Sequence, residues 1–231
     1  MKKTIALCAA LIVSGAAIAQ EESTYAVTVD FPYVSKYVFR GVELARDSFQ
    51  PSVEVSTGDL YLGVWSNMPG HKENDMGLSK EVDLYVGYTP KLTEKISADI
   101  GLTYYWYPRY SGSGPDDSME VFAGLNTTVG NFTPSGYIYR DIDLEVTTLQ
   151  ASVGYSVPLQ GLGTSLDLSA TFGGVIPDNG EVYCYYAAGV NVPVKLSDVV
   201  KLNFGLSYTE NDLDDGEDPG LWATFGVSAT F

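Results

Sequence analysis

Several residue types are scarce in this sequence, and each scarcity excludes a class of protein. Cysteine occurs twice and histidine once among 231 residues, so a small disulfide-rich scaffold is excluded and a transition-metal site is disfavoured. Basic residues number 13 against 29 acidic ones, which argues against a nucleic-acid partner because neutralising phosphates needs clustered Lys and Arg. We therefore expect no metal, no cofactor and no nucleic acid.

Long apolar runs are also missing once the first 19 residues are set aside. A membrane-spanning helix needs about 20 such residues in a row, so helical membrane proteins are excluded, whereas proteins that cross a membrane with strands are not. The mean hydropathy of +0.02, with 45% hydrophobic and 13% aromatic residues, also excludes a disordered acidic tail. The sequence therefore predicts a folded, β-rich protein.

The first 19 residues have the three parts of a secretory signal peptide. Lysines at positions 2 and 3 precede an apolar stretch at 5–13, and the Ala-Ile-Ala sequence at 17–19 is a typical cleavage motif. We expect cleavage after this motif, export, and one mature domain over 20–231; an N-terminal helix of the fold is the alternative. Cys8 leaves with the leader, so Cys184 can form no intramolecular disulfide and serves as a small apolar residue.

Apolar and polar residues alternate with a period of two through most of the mature chain, which is typical of strands with one apolar face. Twelve segments of this kind lie at 24–41, 50–57, 59–66, 79–90, 94–107, 116–128, 131–140, 143–157, 163–173, 181–194, 198–209 and 219–231. Many are long enough to cross a bilayer at a tilt, which takes about 9 to 11 residues. Pro32 and the pair Thr147–Thr148 predict local bulges.

The links between these segments alternate in length. Short links lie near 58, at 90–93, near 130 and at 195–197. Longer links lie at 42–49, 67–78, 108–115, 174–180 and 210–218, and the short link at 140–143 is an exception. Short turns at one end and long loops at the other are typical of outer-membrane barrels. The predicted fold class is therefore all-β, a transmembrane antiparallel up-and-down β-barrel of about 12 strands, with roughly 10 to 14 allowed.

The last segment adds a separate signal. Phe225, Val227 and the terminal Phe231 share one of its faces, and a chain that ends on Phe inside a strand resembles the C-terminal signal by which outer-membrane barrels are recognised for insertion. We expect outer-membrane lipid and the outer-membrane insertion machinery to be partners of this strand. A soluble sandwich can also end in a strand, but an exposed terminal Phe gains it nothing.

Three short motifs stand out near the N-terminus: Ser35-Lys36-Tyr37-Val38-Phe39-Arg40-Gly41, Gln50-Pro51 and Gly63-Val64-Trp65-Ser66-Asn67. In these motifs the sequence resembles the proteobacterial porin family called TorF, whose members begin with a similar Ser-x-Tyr-x-Phe-Arg-Gly strand. Residues 42–49 have no match in the family pattern. The resemblance implies an outer-membrane barrel with channel activity and names no substrate.

If the apolar faces meet lipid, ten charged side chains face the lumen of the barrel. They are Asp30, Lys36, Arg40, Glu54, Glu81, Asp83, Asp99, Glu120, Asp167 and Lys201. Acids outnumber bases in this set, and an acidic pore lining favours cations. The alternative is a plugged lumen in which Lys36 and Arg40 pair with Glu54 or Asp30. A barrel of this size has a backbone diameter of about 24 Å, so small solutes, or nothing, would pass.

Aromatic residues are abundant, with 17 Tyr, 9 Phe and 3 Trp. Several near segment ends predict interfacial girdles, because such a ring is apolar and its tip polar. These girdle candidates are Tyr33, Tyr37, Phe39, Trp65, Tyr104, Trp106 and Tyr110. For the inward-facing aromatics the alternative is a sugar-stacking track, built from Tyr85, Tyr105, Tyr107, Tyr183 and Tyr185.

Catalytic and ion-binding sites have little support. His71 has Glu73 and Asp75 nearby but no spacing that fixes a catalytic triad, so we expect no enzyme. The acidic loop 210–218 fails as an EF-hand because Leu213 occupies a ligand position. A loose divalent-cation site and a solvated acidic loop are the two interpretations of that segment.

Together these observations predict a porin-like channel in the outer membrane of a Gram-negative bacterium. It would allow passive diffusion of small solutes or ions with a mild cation preference. A closed structural or adhesin-type outer-membrane barrel is the first alternative. A secreted soluble β-sandwich that binds carbohydrate is the second, and the oligomeric state is left open.

Overall fold

The computed structural model describes residues 25–70, 80–108, 110, 116–213 and 219–231. Thirteen β-strands run through these residues. They are β1 (Ala26–Phe39), β2 (Val42–Phe49), β3 (Ser52–Thr57), β4 (Leu60–Pro69), β5 (Glu81–Tyr88), β6 (Ile96–Trp106), β7 (Asp117–Thr127), β8 (Phe132–Asp141), β9 (Val146–Leu159), β10 (Thr164–Pro177), β11 (Tyr183–Lys195), β12 (Val200–Asn211) and β13 (Gly220–Thr230). In the part of the chain that the structure describes, no helix is long and apolar enough to cross a membrane.

The strands form one antiparallel sheet that closes on itself. From β4 to β13 each strand pairs with the next, and β13 returns to β1, with Thr28 opposite Thr230 and Val34 opposite Thr224. β2 and β3 lie in line, since both pair with β1 and both pair with β4. They form one barrel strand interrupted at 50–51, so the barrel has twelve strands and the predicted fold class is confirmed.

Most predicted segments begin and end within a few residues of the observed strands. The prediction is wrong for 42–49, which forms β2 instead of a long loop. A two-residue turn joins β1 to β2, where Arg40 and Gly41 have φ angles of 47° and 87°. Positive φ at both central residues gives the tight turn typical of β-hairpins. The charged residues of β2 favour a loop in the sequence because most of this strand, from Val42 to Asp47, leaves the barrel wall; Phe49 at its end is exposed on the outer face.

Neither predicted bulge is present. β1 keeps one register with β13 through Pro32, and the carbonyl oxygen of Pro32 accepts a hydrogen bond from the Gln50 amide at 2.8 Å. Proline removes one ladder donor without adding a residue between neighbours. The register of β1 with β2 shifts instead between Tyr37 and Val38. β9 likewise keeps its register with β8 and β10 through Thr147–Thr148.

Apolar side chains cover the outer face of the barrel. Leu62 and Phe172 are each more than half exposed there, and Phe225, Val227 and Phe231 of the C-terminal segment are exposed as well. A soluble monomer rarely exposes a belt of this size, whereas a transmembrane barrel presents it to lipid. Polar and aromatic side chains alternate with this belt and face the lumen, where the candidate site lies.

Candidate functional site

The part of the β1–β2 hairpin next to its turn leaves the barrel wall. β1 pairs with β13 only as far as Val34, and β2 meets β4 only at Ser48 and Phe49. The residues between, 35–47, pair with each other, and we call them the inner hairpin. Asp47 has a φ of 51°, a left-handed conformation uncommon outside glycine, at the point where the chain turns into the lumen.

Arg40 at the tip of the inner hairpin reaches the opposite wall. Its Nη1 and Nη2 donate to Oε2 and Oε1 of Glu120 on β7, both at 2.7 Å. Its guanidinium carbon lies 4.7 Å from the ring centroid of Phe39 and 4.6 Å from that of Tyr139 on β8. The side chains of Arg40 and Glu120 are only 12% and 3% exposed, so water competes little with this bidentate pair. Because β7 lies nearly opposite β1 in the strand order, the contact spans the lumen.

Polar contacts with β12 and with the residue just before β13 fix the same hairpin. Asn211 Nδ2 on β12 donates to the carbonyl oxygen of Gly41 at 2.8 Å. Lys36 Nζ donates to the carbonyl oxygen of Pro219 and lies 3.4 Å from Glu43 Oε2 within the hairpin. The hairpin is thus held at its tip and along its length, and it narrows the lumen at the end of the barrel where the long loops lie.

An apolar cluster fills the space around the inner hairpin. Val34, Tyr37 and Ala45 are buried, and Trp65 packs against them, with its ring centroid 5.4 Å from that of Tyr37. Phe39 lies against Tyr105 on β6, with ring centroids 6.1 Å apart. Both faces of the hairpin therefore lie inside the barrel, which is why strict alternation of inward and outward residues ends where the hairpin leaves the wall.

Two buried carboxylates accept phenol hydrogen bonds at this level. Glu81 on β5 accepts from the Tyr37 hydroxyl at 2.8 Å and from the Tyr107 hydroxyl at 3.2 Å. Glu120 accepts from the Tyr105 hydroxyl at 3.0 Å in addition to the guanidinium. Buried charges are costly unless they are hydrogen-bonded, so these donors fix the positions of both carboxylates beside the constriction.

A second group of aromatic residues lies deeper in the barrel, toward the short turns. The Tyr85 hydroxyl donates to Glu54 Oε2 at 3.2 Å. The hydroxyls of Tyr61 and Tyr137 donate to the two oxygens of Asp99 at 2.9 Å each. One carboxylate on β6 therefore ties together rings that stand on β4 and β8.

Each ring of this group lies over a lumen-facing glycine of a neighbouring strand. The pairs are Tyr61 over Gly87, Tyr85 over Gly63, Phe122 over Gly101 and Tyr137 over Gly124. A Cβ added at Gly87 would lie 2.2 Å from Cζ of Tyr61, closer than any real contact. Glycine thus lets the rings lie along the barrel wall instead of projecting into the lumen. We call Tyr61, Tyr85, Phe122 and Tyr137 the aromatic wall.

Apart from Tyr183, Tyr185 and Trp222, which lie near the inner hairpin, the facing part of the lumen on β9–β13 carries smaller side chains. The hydroxyls of Ser152 and Thr171 lie 2.9 Å apart, and Ser156 Oγ donates to Asp167 Oδ1 at 2.6 Å. Lys201 on β12 is exposed. Because these side chains are shorter than tyrosine, we infer that the passage runs between them and the aromatic wall.

The structure places all ten predicted pore-lining residues on the inner side of the barrel or on the inner hairpin. Those on the wall are Asp30, Glu54, Glu81, Asp83, Asp99, Glu120, Asp167 and Lys201, and those on the inner hairpin are Lys36 and Arg40. The suggested pairing of Lys36 and Arg40 with Glu54 or Asp30 is wrong. The inner hairpin carries both bases away from those acids, to Glu43 and Glu120.

The girdle candidates divide between the two faces of the barrel. Tyr33, Tyr104 and Trp106 belong to the outer face, and Tyr110 lies just beyond β6. The girdle prediction is wrong for Tyr37, Phe39 and Trp65, which pack together inside the lumen. The first two follow the inner hairpin inward, and Trp65 alternates with the outward residues Val64 and Met68.

The residues of the alternative sugar track do not form one surface. Tyr105 and Tyr107 bond the buried carboxylates beside the inner hairpin, whereas Tyr85 belongs to the aromatic wall. The Tyr185 hydroxyl donates to Gln150 at 2.6 Å on the other side of the lumen. The sequence does not predict which glycine each ring covers, because alternation shows that a glycine faces inward but not which ring lies opposite it.

A salt bridge joins the end of β8 to the link after β10, at the end of the barrel where the long loops lie. Arg140 donates from Nη1 and Nη2 to the two carboxylate oxygens of Asp178, both at 2.7 Å. This hydrogen-bonded guanidinium lowers the pKa of the Asp178 carboxyl below its usual value. The Asp178 amide also donates to the carbonyl oxygen of Glu145 at 2.9 Å. The contact explains how the short link after β8, an exception in the sequence pattern, is fixed.

Some predicted features lie outside the described residues. They are the leader 1–19, His71 with Glu73 and Asp75, and residues 214–218 of the acidic loop. Cys184 is a free thiol on β11. Within the ranges that the structure covers, no group of three or more His, Cys, Asp or Glu side chains could hold a metal ion.

Residues 18–215 match the model of a family described as "Bacterial protein of unknown function (Gcw_chp)". The chain belongs to the Gcw_chp family. No curated protein matches this Gcw_chp sequence. The narrower resemblance to the TorF family stays a prediction.

Solved structures of porins share the fold of this Gcw_chp protein. The "KdgM porin" is 9% identical with a TM-score of 0.59, over 88% of this chain and 99% of that chain. The NanC porin is 12% identical with a TM-score of 0.52, over 89% and 98%. A "KdgM porin in complex with disordered oligogalacturonate" gives 10% identity and a TM-score of 0.58, over 88% and 99%. At these identities the likeness concerns the fold, a closed porin-type barrel.

Proposed function

We propose that this Gcw_chp protein is a bacterial outer-membrane channel for passive diffusion of small solutes or ions. The observation that carries the proposal is a closed twelve-stranded barrel with an apolar outer belt and a lumen lined by carboxylates, phenols and hydroxyls. A lumen filled with apolar side chains would serve only stability, whereas a polar lining offers partners to a hydrated solute. The porin fold of the similar structures supports the same function.

The pairing of the charges supports the proposed mild cation preference. Arg40 neutralises Glu120 and Lys36 lies against Glu43. Glu54 and Asp99, in contrast, accept hydrogen bonds from tyrosine hydroxyls, which carry no charge. These carboxylates therefore keep their negative field in the lumen, and such a field favours cations over anions. Because such a field repels anions, we do not propose oligogalacturonate, the polyanion named for one KdgM structure, as a solute of this protein.

Export and membrane insertion belong to the same proposal. We infer that the leader 1–19 directs export and is cleaved, and that the insertion machinery recognises the C-terminal strand. Phe225, Val227 and Phe231 support this inference, since they are exposed on the outer face or at its end. We also propose a relationship to the TorF porins. The Ser-x-Tyr-x-Phe-Arg-Gly motif supports it, and in this chain that motif ends at the tip of the inner hairpin.

Planar-bilayer recordings test the channel. Pure refolded protein should give unitary currents in KCl, and a KCl gradient should give a reversal potential of the sign expected for cation preference. The Glu54→Gln/Asp99→Asn double variant should move this potential toward zero. Absence of unitary current from protein that shows the heat-modifiable gel mobility of a folded barrel would overturn the proposal. Recovery of the protein with periplasmic contents without detergent would overturn its location.

The inner hairpin favours one second candidate, a closed structural barrel. A variant in which 36–46 is replaced by a tight turn separates the two functions. An open channel conducts in its native form and conducts more when the hairpin is shortened. A closed barrel conducts only after the hairpin has been shortened.

A further inference from the structure

The aromatic wall forms one connected surface within the lumen. The ring centroids of Tyr61 and Tyr85 are 6.1 Å apart, and those of Phe122 and Tyr137 are 6.5 Å apart. Asp99 joins the two pairs through its hydrogen bonds to Tyr61 and Tyr137. The four rings are neither buried nor fully exposed, so part of each is open to whatever occupies the lumen.

The wall is preorganised. Each ring lies on a glycine, and each tyrosine hydroxyl is bonded to a carboxylate, Tyr85 to Glu54 and the other two to Asp99. A surface whose side chains are already ordered loses little conformational entropy when it binds a ligand. The wall is therefore better suited to binding than an equal number of mobile tyrosines would be.

The hydrogen-bonding capacity left on the three tyrosines of the wall and on their carboxylate partners is for accepting only. The tyrosine hydroxyls have already donated to Glu54 and Asp99, and the Asn126 amide donates to the Tyr137 hydroxyl at 2.8 Å. A carboxylate offers about four acceptor sites, so Glu54 and Asp99 retain acceptor capacity. What remains for a ligand is the negative face of aromatic rings together with carboxylate oxygens, and both attract a cation. A sugar would also need hydrogen-bond donors, but the tyrosine hydroxyls of the wall already donate to Glu54 and Asp99.

Positive charge lies elsewhere in the lumen. Arg40 and Lys36 are bound to Glu120 and Glu43 on or across from the inner hairpin, and Lys201 stands on β12. The guanidinium of Arg40 already lies over the Tyr139 ring at 4.6 Å, so this lumen holds a cation against an aromatic face at the constriction. The rings of the aromatic wall are each partly exposed, so they are accessible to a cation that enters from outside.

We propose that the aromatic wall is a binding site for small organic cations, that is, ammonium or guanidinium groups on short carbon skeletons. The inference rests on the proposed channel function, because a solute reaches this wall only by entering the lumen. The ring faces bind the cationic head, and Glu54 and Asp99 add the opposite charge.

Choline is a suitable probe, and its binding to refolded full-length protein in neutral detergent can be measured by saturation-transfer NMR. We expect the Tyr61→Leu and Asp99→Asn variants each to weaken choline binding by about three- to tenfold, in keeping with the size of a cation–π contact. Tyr61→Phe keeps the ring face and should retain most of the binding. Tyr104→Leu is the matched control, because Tyr104 bonds Asp117 at 2.6 Å on the outer face and its loss should leave choline binding unchanged.

The outcomes separate this inference from the channel itself. KCl conductance with no choline binding overturns the organic-cation site and leaves the channel intact. Choline binding without KCl conductance overturns the channel and leaves the site intact. Binding of maltose in place of choline assigns the wall to neutral sugars, and equal weakening by Tyr61→Leu and Tyr104→Leu assigns the effect to general destabilisation; either result overturns the proposal.

Discussion

At the scale of single residues, the pair of Arg40 and Glu120 links the inner hairpin to the opposite wall. Removal of one partner from a buried ion pair leaves the other charge unpaired, which costs about 3 kcal/mol or more. We expect Arg40→Ala to lower the free energy of unfolding in urea by about this amount and to raise single-channel conductance, since the tip of the hairpin is released.

Lys195 and Asp198 provide the control for this prediction. They form an exposed pair at 2.7 Å, and exposed pairs contribute about 0 to 1 kcal/mol. Lys195→Ala should therefore leave both the unfolding midpoint and the conductance close to those of the native protein. Equal effects from the two variants would show that the buried pair does not hold the constriction.

Gly87 tests how the rings of the aromatic wall are seated. An added methyl group would lie 2.2 Å from Tyr61 Cζ, so Gly87→Ala must push the ring into the lumen. We expect a loss of about 1 to 3 kcal/mol in the free energy of unfolding together with a lower conductance. Gly136→Ala is the control, because no atom lies within 4 Å of the position of its Cβ. An unchanged conductance in Gly87→Ala would contradict the packing of the Tyr61 ring against Gly87.

At the scale of elements, the salt bridge between Arg140 and Asp178, which we call the clamp, gives one end of the barrel a defined pH response. The pKa of Asp178 is lowered in the folded protein, so the clamp contributes stability above the ordinary Asp pKa of about 3.9, and loses it as pH falls through the lower folded value. The protection factor of the Asp178 amide, which compares its exchange rate with the intrinsic rate at the same pH, should therefore fall only in acid. Asp178→Asn should have a low protection factor at all pH values, and a loss of protection confined to alkaline pH in the native protein would contradict the assignment.

The elements also show what alternation in a sequence can and cannot reveal. Strands that stay in the wall have one face in lipid and one in the lumen, so their apolar residues recur with period two and their bounds could be predicted. The inner hairpin has both faces inside the barrel, so its alternation no longer shows which side chains face lipid. This is why the sequence predicts a loop at 42–49 and places Tyr37 and Phe39 at the membrane interface.

For the candidate site, the sequence predicts which residue types line the lumen but not which of them contact each other. The inward carboxylates follow from the parity of the wall strands. Their partners do not, because the bond of Tyr61 to Asp99 depends on strand register, and the bond of Arg40 to Glu120 joins residues 80 apart in sequence. Contacts of that kind leave no periodic signal.

At the scale of the whole molecule, the acidic lumen predicts a cation preference that depends on salt. The Debye length falls from about 10 Å at 0.1 M to about 3 Å at 1 M, so lumen carboxylates act on passing ions mainly in dilute salt. The ratio of potassium to chloride permeability, obtained from reversal potentials, should exceed one in dilute KCl and approach one in concentrated KCl. A preference for chloride in dilute KCl would contradict the charge assignment.

The inner hairpin also imposes an order on assembly. Its residues belong to the first strands of the barrel, yet Asn211 bonds Gly41 across 170 positions and Pro219 bonds Lys36 across 183. Contacts between such distant residues form slowly, because a long loop must first be closed. The hairpin tip can therefore reach its final place only after β12 and β13 have joined the barrel. The wall then closes between β13 and β1, and the lumen narrows, in the same late step.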